Sequence, residues 1–197
     1  MASLGTWPTT IEPVSFRLVM QTNQVVNADP FGGSEQVLDR LNDRWMVYMT
    51  LQQAHQDDAA EIEALVANFR GQVNTIDLWH FVRSTPRGTI SGSPTVSGAH
   101  TAGAATLAIQ TSAGATVKKG DLVGVGGLLL MSSGDATADG TGLLSMPLVN
   151  RLRTALSNGA AITLTKPTAT FRLLSTSGLG YSGGLSEEVT MTLGEVI

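Results

Sequence analysis

The sequence contains no cysteine, few charged residues, few aromatic residues and no long hydrophobic run. The absence of cysteine excludes disulfide bonds and cysteine-ligated metal centres, and it leaves the redox compartment open. Charged residues make up 14% of the chain, well below the roughly 25% of a typical soluble domain. Such a neutral surface suits an extracellular β protein, or a subunit whose surface is mostly covered by its neighbours.

The hydrophobic segments are too short to span a membrane as helices, which requires about 20 apolar residues. The most apolar stretch, residues 121–131 (DLVGVGGLLLM), is interrupted by glycines and is typical of a buried strand. Residues 1–13 have neither the basic segment nor the apolar core of a secretory signal. We therefore expect neither membrane insertion nor a signal peptide. The net charge of -4 also argues against specific nucleic-acid binding, which favours basic patches.

Apolar residues alternate with polar residues in several segments, and this period of two predicts strands. Residues 14–20 place four apolar side chains on one face, and residues 171–173 and 189–193 show the same alternation. Glycine-rich turns separate many further short strands. The sequence therefore predicts a mainly β protein.

One segment, residues 57–71, has the spacing of an amphipathic helix. Acidic residues lie near its start and Gly71 is placed just past its end, as helix ends prefer. Its expected buried stripe consists of Ala59, Ile62, Leu65, Val66 and Phe69. We also expect a turn near Asn42-Asp43 that divides residues 34–51 into two strands, and a short helical turn from Leu152 to Leu156.

Two motifs resemble ligand-binding loops. Residues 178–184 (GLGYSGG) contain G-x-G-x-x-G, but a strand rather than a helix is expected to follow, so a hairpin loop is the better interpretation. Residues 135–140 (DATADG) resemble the opening of a calcium loop, yet Met146 stands where the closing acid is required. A polar turn is therefore expected there, with a calcium ion as the alternative.

The residues that could support catalysis or bind zinc are scattered. None of the three histidines, His55, His80 and His100, has a second ligand at metal-binding spacing. No G-x-S-x-G elbow precedes a helix, and adjacent residues such as Glu187 and Glu188 face opposite sides of a strand. The sequence thus predicts no enzyme, no cofactor and no metal site.

Residues 27–45 (NADPFGGSEQVLDRLNDRW) concentrate charges of both signs in a chain that has few. Such charges along a strand can select a partner subunit and its register. The alternative is a solvated edge strand whose charges only prevent aggregation. The candidate interface residues are Glu35, Asp39, Arg40, Asp43, Arg44 and Trp45.

The order of these features resembles a known family. A strand (PVSFRLVM) leads through DPFGGSEQVLDRLNDRWMVYMTL to a helix ending ALVANFRG, and then to a strand, NTIDLWHFV. This order is similar to the hub domain of phage distal tail proteins, the baseplate hub proteins of long-tailed phages. Residues 120–174, with their Gly-Asp turn, Leu-Arg segment and Phe-Arg-Leu strand, are similar to the second half of many small phage tail proteins.

The resemblance implies a structural protein of the virion, made in the host cytoplasm. Its copies would form a ring, usually a hexamer, that joins the tail tube to the tail-tip complex around the DNA channel. Its partners would be further copies of itself and other tail proteins. It implies a β-barrel-like hub domain with one packed helix, residues 1–88 and 168–197, and a small inserted outer β domain, residues 89–167. The alternative is a receptor- or glycan-binding β module, although residues 89–167 offer no aromatic platform.

Overall fold

The computed structural model describes residues 2–27, 32–33 and 35–197, and it confirms a mainly β protein with one helix. The helix is α1 (Gln56–Asn68). No helix of the described residues is long and apolar enough to cross a membrane. The strands, in chain order, are β1 (Ser3–Thr6), β2 (Pro13–Asn27), β3 (Gln36–Leu51), β4 (Thr75–Trp79), β5 (Thr95–Val96), β6 (Thr106–Gln110), β7 (Thr116–Val117), β8 (Leu122–Val125), β9 (Leu128–Met131), β10 (Ala136–Thr137), β11 (Leu143–Pro147), β12 (Ile162–Thr163), β13 (Thr168–Thr176), β14 (Tyr181–Ser182), β15 (Leu185–Ser186) and β16 (Val189–Glu195).

Six of these strands form one large sheet, in the order β1-β4-β13-β16-β3-β2. β1 runs parallel to β4, and every other neighbouring pair in this sheet is antiparallel. Within the described ranges no ladder joins β1 to β2, so the expected barrel-like hub is an open sheet rather than a closed barrel.

Aromatic rings, rather than strand pairing, bring the two sides of this sheet together. Phe16 on β2 packs edge-to-face against His80 and Phe81, which follow β4, with ring centroids 4.9 and 5.1 Å apart. Phe81 also contacts Trp7, which follows β1, at 6.1 Å. Aromatic pairs of this geometry contribute about 0.5–1.5 kcal/mol each beyond the burial of their area. The sheet therefore curls around an aromatic contact without closing.

His80 in this contact is expected to make the protein less stable in acid. Burial, and then the neighbouring Arg83, lower the pKa of His80 from 6.5 to about 4. A neutral imidazole accepts one hydrogen bond from Arg83, either from its backbone N–H at Nδ1 (3.1 Å) or from its Nε at Nε2 (3.2 Å), whereas an imidazolium accepts none. Between about pH 6.5 and about pH 4 the unfolded chain therefore binds a proton that the folded chain does not bind. The free energy of unfolding decreases as the pH is lowered through this range.

Thermal unfolding of the wild type and of His80→Gln across this pH range measures the effect. The glutamine variant should lose less of its melting temperature between neutral and acidic pH, because its side chain does not titrate. The carboxylates, which titrate in the same range, are common to both proteins. Equal losses in the two proteins would show that His80 contributes nothing to the acid sensitivity.

The first hydrophobic core lies between the large sheet and α1. The predicted alternation holds on the two last long strands: Phe171 and Leu173 of β13 are buried, as are Val189, Met191 and Leu193 of β16. These side chains join one cluster with the apolar residues of β3 and β4. The sequence pattern therefore identified the core face of both strands.

Helix α1 covers this core with the stripe that the sequence predicts. Four of its five expected residues are buried, namely Ala59, Ile62, Leu65 and Phe69, and Val66 is partly buried against them. The helix is followed by Arg70 and Gly71 in the left-handed region, with φ of 48° and 69°. A glycine adopts that conformation without a Cβ penalty, which explains why the helix ends there.

Residues 36–51 form the single continuous strand β3, so the expected turn at Asn42-Asp43 is wrong. Asp43 instead lies at an irregularity in the β2–β3 ladder, where the register shifts between Gln21 and Asn23. The Asp43 carboxylate accepts a hydrogen bond from the Asn23 backbone N–H at 3.1 Å. The side chain thus satisfies a donor that the shifted ladder would leave unpaired.

A second hydrophobic cluster is built from residues 90–164, which lie between β4 and β13 in the chain. Its strands form small antiparallel sheets in the orders β11-β6-β5, β12-β8-β9 and β10-β7. Leu122 and Leu129 of this segment belong to the first cluster, so the two cores meet there. The domain boundaries at residues 88/89 and 167/168 stay a prediction.

The helical turn expected from Leu152 to Leu156 is wrong. Leu152 N donates to the carbonyl of Ala104 at 3.0 Å, and Leu156 exchanges two 2.9 Å backbone hydrogen bonds with His100. Both leucines are buried in the second cluster. Extended pairing with residues 100–104 satisfies the backbone here, and tertiary contacts override the local helical pattern.

Candidate subunit interface

The hairpin of β2 and β3 continues beyond the large sheet as a two-stranded ribbon. β16 pairs with β3 only from Leu51 to Met46, whereas β2 pairs with β3 as far as Gln36. Residues 21–27 and 36–44 therefore have only each other as strand partners within the described chain, and we call them the arm. Isolated two-stranded hairpins are at best marginally stable in water, so the arm needs further contacts.

Apolar side chains lie on both faces of the arm. Val26 and Val37 are directly opposite each other and are 48% and 56% exposed. Val25 and Leu38 form the next pair, and side chains of successive residues point to opposite faces. Leu38 is 50% exposed. A ribbon one layer thick cannot bury both faces by itself, so these residues are candidates for burial against another chain.

The predicted residues Glu35, Asp39 and Arg40 lie at or near this exposed end. All three are exposed. Asp39 forms an ion pair with Arg151 at 3.6 Å, and each side chain keeps 51% of its surface exposed. An ion pair so well solvated contributes little to stability. These charges therefore remain available to a second chain.

Asp43 and Arg44, nearer the base of the arm, are engaged within the hairpin. Asp43 satisfies the shifted ladder described above, and Arg44 Nε donates to Gln21 Oε1 across the strands at 2.8 Å. Both residues are partly buried. Their contacts hold the two strands of the arm in register.

Trp45 lies in the core, with 3% of its surface exposed. Its indole Nε1 donates to the carbonyl of Leu129 at 2.8 Å, and its backbone N donates to Glu195 Oε2 at 2.9 Å. A side chain so buried offers almost no surface to a second subunit. Trp45 therefore lies outside the proposed interface. It anchors the base of the arm in the core.

A buried ion pair between Arg153 and Glu195 holds the base of the arm, and the sequence gives no sign of it. Arg153 Nη1 donates to Glu195 Oε2 at 3.0 Å, and Arg153 Nη2 bonds the other oxygen. Arg153 Nη1 also donates to the carbonyl of Asp43 at 3.2 Å. The partners are 42 positions apart in the chain, and no local pattern links them. This clamp connects the second cluster to the strand that becomes the arm.

Glu195 is almost wholly buried, and burial raises the pKa of its carboxyl group. The hydrogen bonds from Arg153 and from the Trp45 backbone act in the opposite direction but do not outweigh burial. A carboxylate held in this way depends strongly on its cation, since an unpaired buried charge is costly.

Both loop motifs form local turns in the described chain. Residues 181–186 fold into the small β14–β15 hairpin expected for GLGYSGG. In DATADG, Asp135 binds Lys118 and the Lys119 backbone N–H, while Asp139 accepts bonds from Thr141 and from the Leu143 backbone N–H. These bonds hold the pKa of both carboxyl groups below its ordinary value. The acids therefore act as turn-forming residues.

The histidines are likewise dispersed. His80 lies in the aromatic contact, and His100 Nε2 accepts a hydrogen bond from the Ala108 backbone N–H at 3.1 Å. His55 precedes α1. Among residues 2–27, 32–33 and 35–197, no three His, Asp or Glu side chains lie close enough together to hold a metal ion.

The outer half of the arm is thus poorly covered by the rest of the described chain. Its base is anchored through Trp45, Asp43 and the Arg153–Glu195 clamp, whereas its outer half carries exposed charged and apolar side chains. This arrangement holds an exposed surface in a fixed position. Searches with this sequence found no matching protein-family model and no matching curated protein.

Proposed function

We propose that the chain is a structural subunit of a phage tail, of the distal tail type, whose copies close into a ring, usually a hexamer. The ring joins the tail tube to the tail-tip complex and surrounds the DNA channel. The observation that supports this proposal best is the arm, whose apolar pairs find no cover in the described chain. A neighbouring copy that packs on both faces of the arm would bury them.

The outer edge of β2 supports the same proposal. β2 is an edge strand of the large sheet and is 15 residues long. Arg17 is its only charged residue, whereas solvated edge strands commonly carry several charges that block pairing with other chains. A long and nearly uncharged edge suits a strand that another subunit covers.

The composition agrees with a subunit that lines a DNA channel. The net charge is -4 and the surface carries few charges, so DNA would pass without binding the wall. The alternative, a receptor- or glycan-binding module, relied on the DATADG turn for calcium, and hydrogen bonds within the chain already engage both of its acids.

Removing the apolar surface of the arm is expected to weaken assembly without unfolding the subunit. In Val26→Lys/Val37→Asp, the opposite charges face each other across the strands and favour the ribbon, while the apolar contact with a second copy is lost. Size-exclusion chromatography with light scattering should show the wild type at several times 20.6 kDa. The concentration at which half of the variant assembles should rise at least about tenfold.

Val73→Asp/Val149→Lys is the matched control, because both valines are exposed outside the arm. It introduces the same two charges and should assemble like the wild type. The melting temperature of the arm variant should also match that of the wild-type monomer. Assembly of the arm variant at wild-type concentrations would remove the arm from the interface, and a wild type that stays at 20.6 kDa would contradict the ring.

A further inference from the structure

All three lysines of the chain gather at one place, together with two arginines. Three backbone contacts define this place: Arg83 Nη1 donates to the carbonyl of Gly120 at 2.9 Å, Arg87 Nη2 bonds the carbonyl of Lys119, and Lys166 N donates to the carbonyl of Ser84 at 2.6 Å. We call the five cations the lysine surface: Arg83, Arg87, Lys118, Lys119 and Lys166.

The lysine surface keeps a positive charge after its ion pairs within the chain are counted. Arg87 lies 3.6 Å from the buried Asp121, and Lys118 Nζ lies 3.0 Å from Asp135. In the described chain these are the only carboxylates that form ion pairs with the five cations. The ammonium group of Lys166 lies 4.6 Å from the centre of the Trp79 ring. This cation–π contact positions the ammonium group without neutralising its charge.

Helix α1 carries the opposite charge. Its sequence from Gln56 to Asn68 contains no lysine or arginine. Its four acids, Asp57, Asp58, Glu61 and Glu63, are all exposed. The spacing of about 100° per residue places the first three on one side of the helix, and we call them the acidic helix face. Glu63 lies on the opposite flank of the apolar stripe, where it accepts a hydrogen bond from the Tyr181 hydroxyl group at 2.9 Å. Burial of the apolar stripe beside it fixes the direction in which this face points. The helix thus presents a rigid negative surface.

We propose that the lysine surface of one copy docks on the acidic helix face of the next copy. The inference rests on the ring proposed above and names a contact within it. A chain with 14% charged residues that places cations at one site and acids at another has two complementary surfaces. Complementary charges steer association and select the correct partner. In the proposed ring each copy uses its lysine surface toward one neighbour and its acidic helix face toward the other, so the contact is head-to-tail, the type that closes a ring when its rotation closes.

Two charge-reversal variants test this contact. Lys118→Glu/Lys119→Glu reverses exposed residues of the lysine surface, and Asp57→Lys/Glu61→Lys reverses two of the three acids of the acidic helix face. Each variant alone brings like charges together at every contact. Each should raise the half-assembly concentration at least about tenfold in light scattering at low salt.

An equimolar mixture of the two variants should restore assembly, because each reversed surface then meets its reversed complement on the other variant. Rings of alternating variants are expected, and they should weaken as salt is raised. Variants that each assemble like the wild type would overturn the contact and leave the ring standing. A mixture that fails to assemble, or stops at two chains, would overturn the head-to-tail docking.

Two further outcomes distinguish docking between copies from DNA binding and from a monomeric protein. If a duplex DNA binds the wild type and Lys118→Glu/Lys119→Glu abolishes that binding while assembly is unchanged, the lysine surface serves nucleic acid and the inference fails. If the wild type is monomeric in every condition, the proposed ring fails and the contact fails with it. Melting temperatures well above the assay temperature in both variants show that any loss of assembly is not unfolding.

Discussion

Replacement of Gly88 by alanine is expected to destabilise the chain by about 3 kcal/mol or more. A Cβ atom at this position would lie under 3.0 Å from the carbonyl oxygen of Thr116 and from the Cα atom of Val117. These are backbone atoms, which cannot turn aside as the end of a flexible side chain can. Their displacement would also disturb the 3.0 Å hydrogen bond from Gly88 N to Asp121 Oδ2.

Gly140→Ala is the matched control, since a Cβ there meets nothing within 4 Å. It should leave the stability unchanged or slightly raised, because alanine restricts the unfolded chain. Thermal unfolding should place Gly88→Ala roughly 6–12 °C below the wild type, given the size of the chain. If Gly88→Ala has the same melting temperature as the wild type, the close approach of Gly88 to β7 is absent in solution.

Removal of Arg153 is the second change with a large expected effect. Arg153→Met leaves Glu195 buried with only the Trp45 N–H as a partner. Removal of one member of a buried ion pair typically costs about 3–5 kcal/mol, because the remaining charge stays desolvated. The pKa of Glu195 is already raised by burial and should rise further without the cation. Mildly acidic pH should therefore recover part of the loss, since the folded variant then takes up a proton.

Two further variants show whether the loss comes from the unpaired charge. Arg153→Met/Glu195→Gln removes both charges and keeps an oxygen that can accept from the Trp45 N–H, so it should be more stable than Arg153→Met alone. Arg151→Met breaks only the exposed ion pair with Asp39 and should cost less than about 1 kcal/mol. Chemical denaturation measures all three. If Arg153→Met and Arg151→Met cost the same, the clamp contributes nothing.

Local periodicity was sufficient to predict the helix and the last two long strands. Each packs one face on the core and leaves the other in solvent, so the sequence carries the geometric period directly. The stripe from Ala59 to Phe69 and the alternation from Val189 to Leu193 are examples. The Gly183-Gly184 hairpin was also predictable, because glycine is the residue that turns with positive φ favour. Both residues have positive φ in the structure.

The predictions failed where polar residues or short apolar segments have more than one possible use. Asn42-Asp43 has the composition of a turn, yet Asp43 satisfies a shifted ladder inside a continuous strand. The segment from Leu152 to Leu156 has helical spacing, yet it pairs with residues 100–104. In both cases a partner distant in the chain decides the structure, and a local pattern carries no information about it.

The candidate interface was predictable only in part for the same reason. The charges of residues 35–44 predict an interface in this segment, and the structure shows that Glu35, Asp39 and Arg40 are exposed there. Burial of Trp45 depends on Leu129 and Glu195, which lie 84 and 150 positions away. The clamp that anchors the arm depends on Arg153, and such contacts become visible only when the chain has folded.

Electron microscopy of the purified wild-type assembly tests the proposed ring most directly. Closed rings with cyclic symmetry are expected, six-fold for a hexamer, in which the arm of each 20.6 kDa subunit packs against a neighbouring copy. Isolated subunits whose arms are surrounded by solvent, at concentrations where the protein is folded, would contradict the proposed ring.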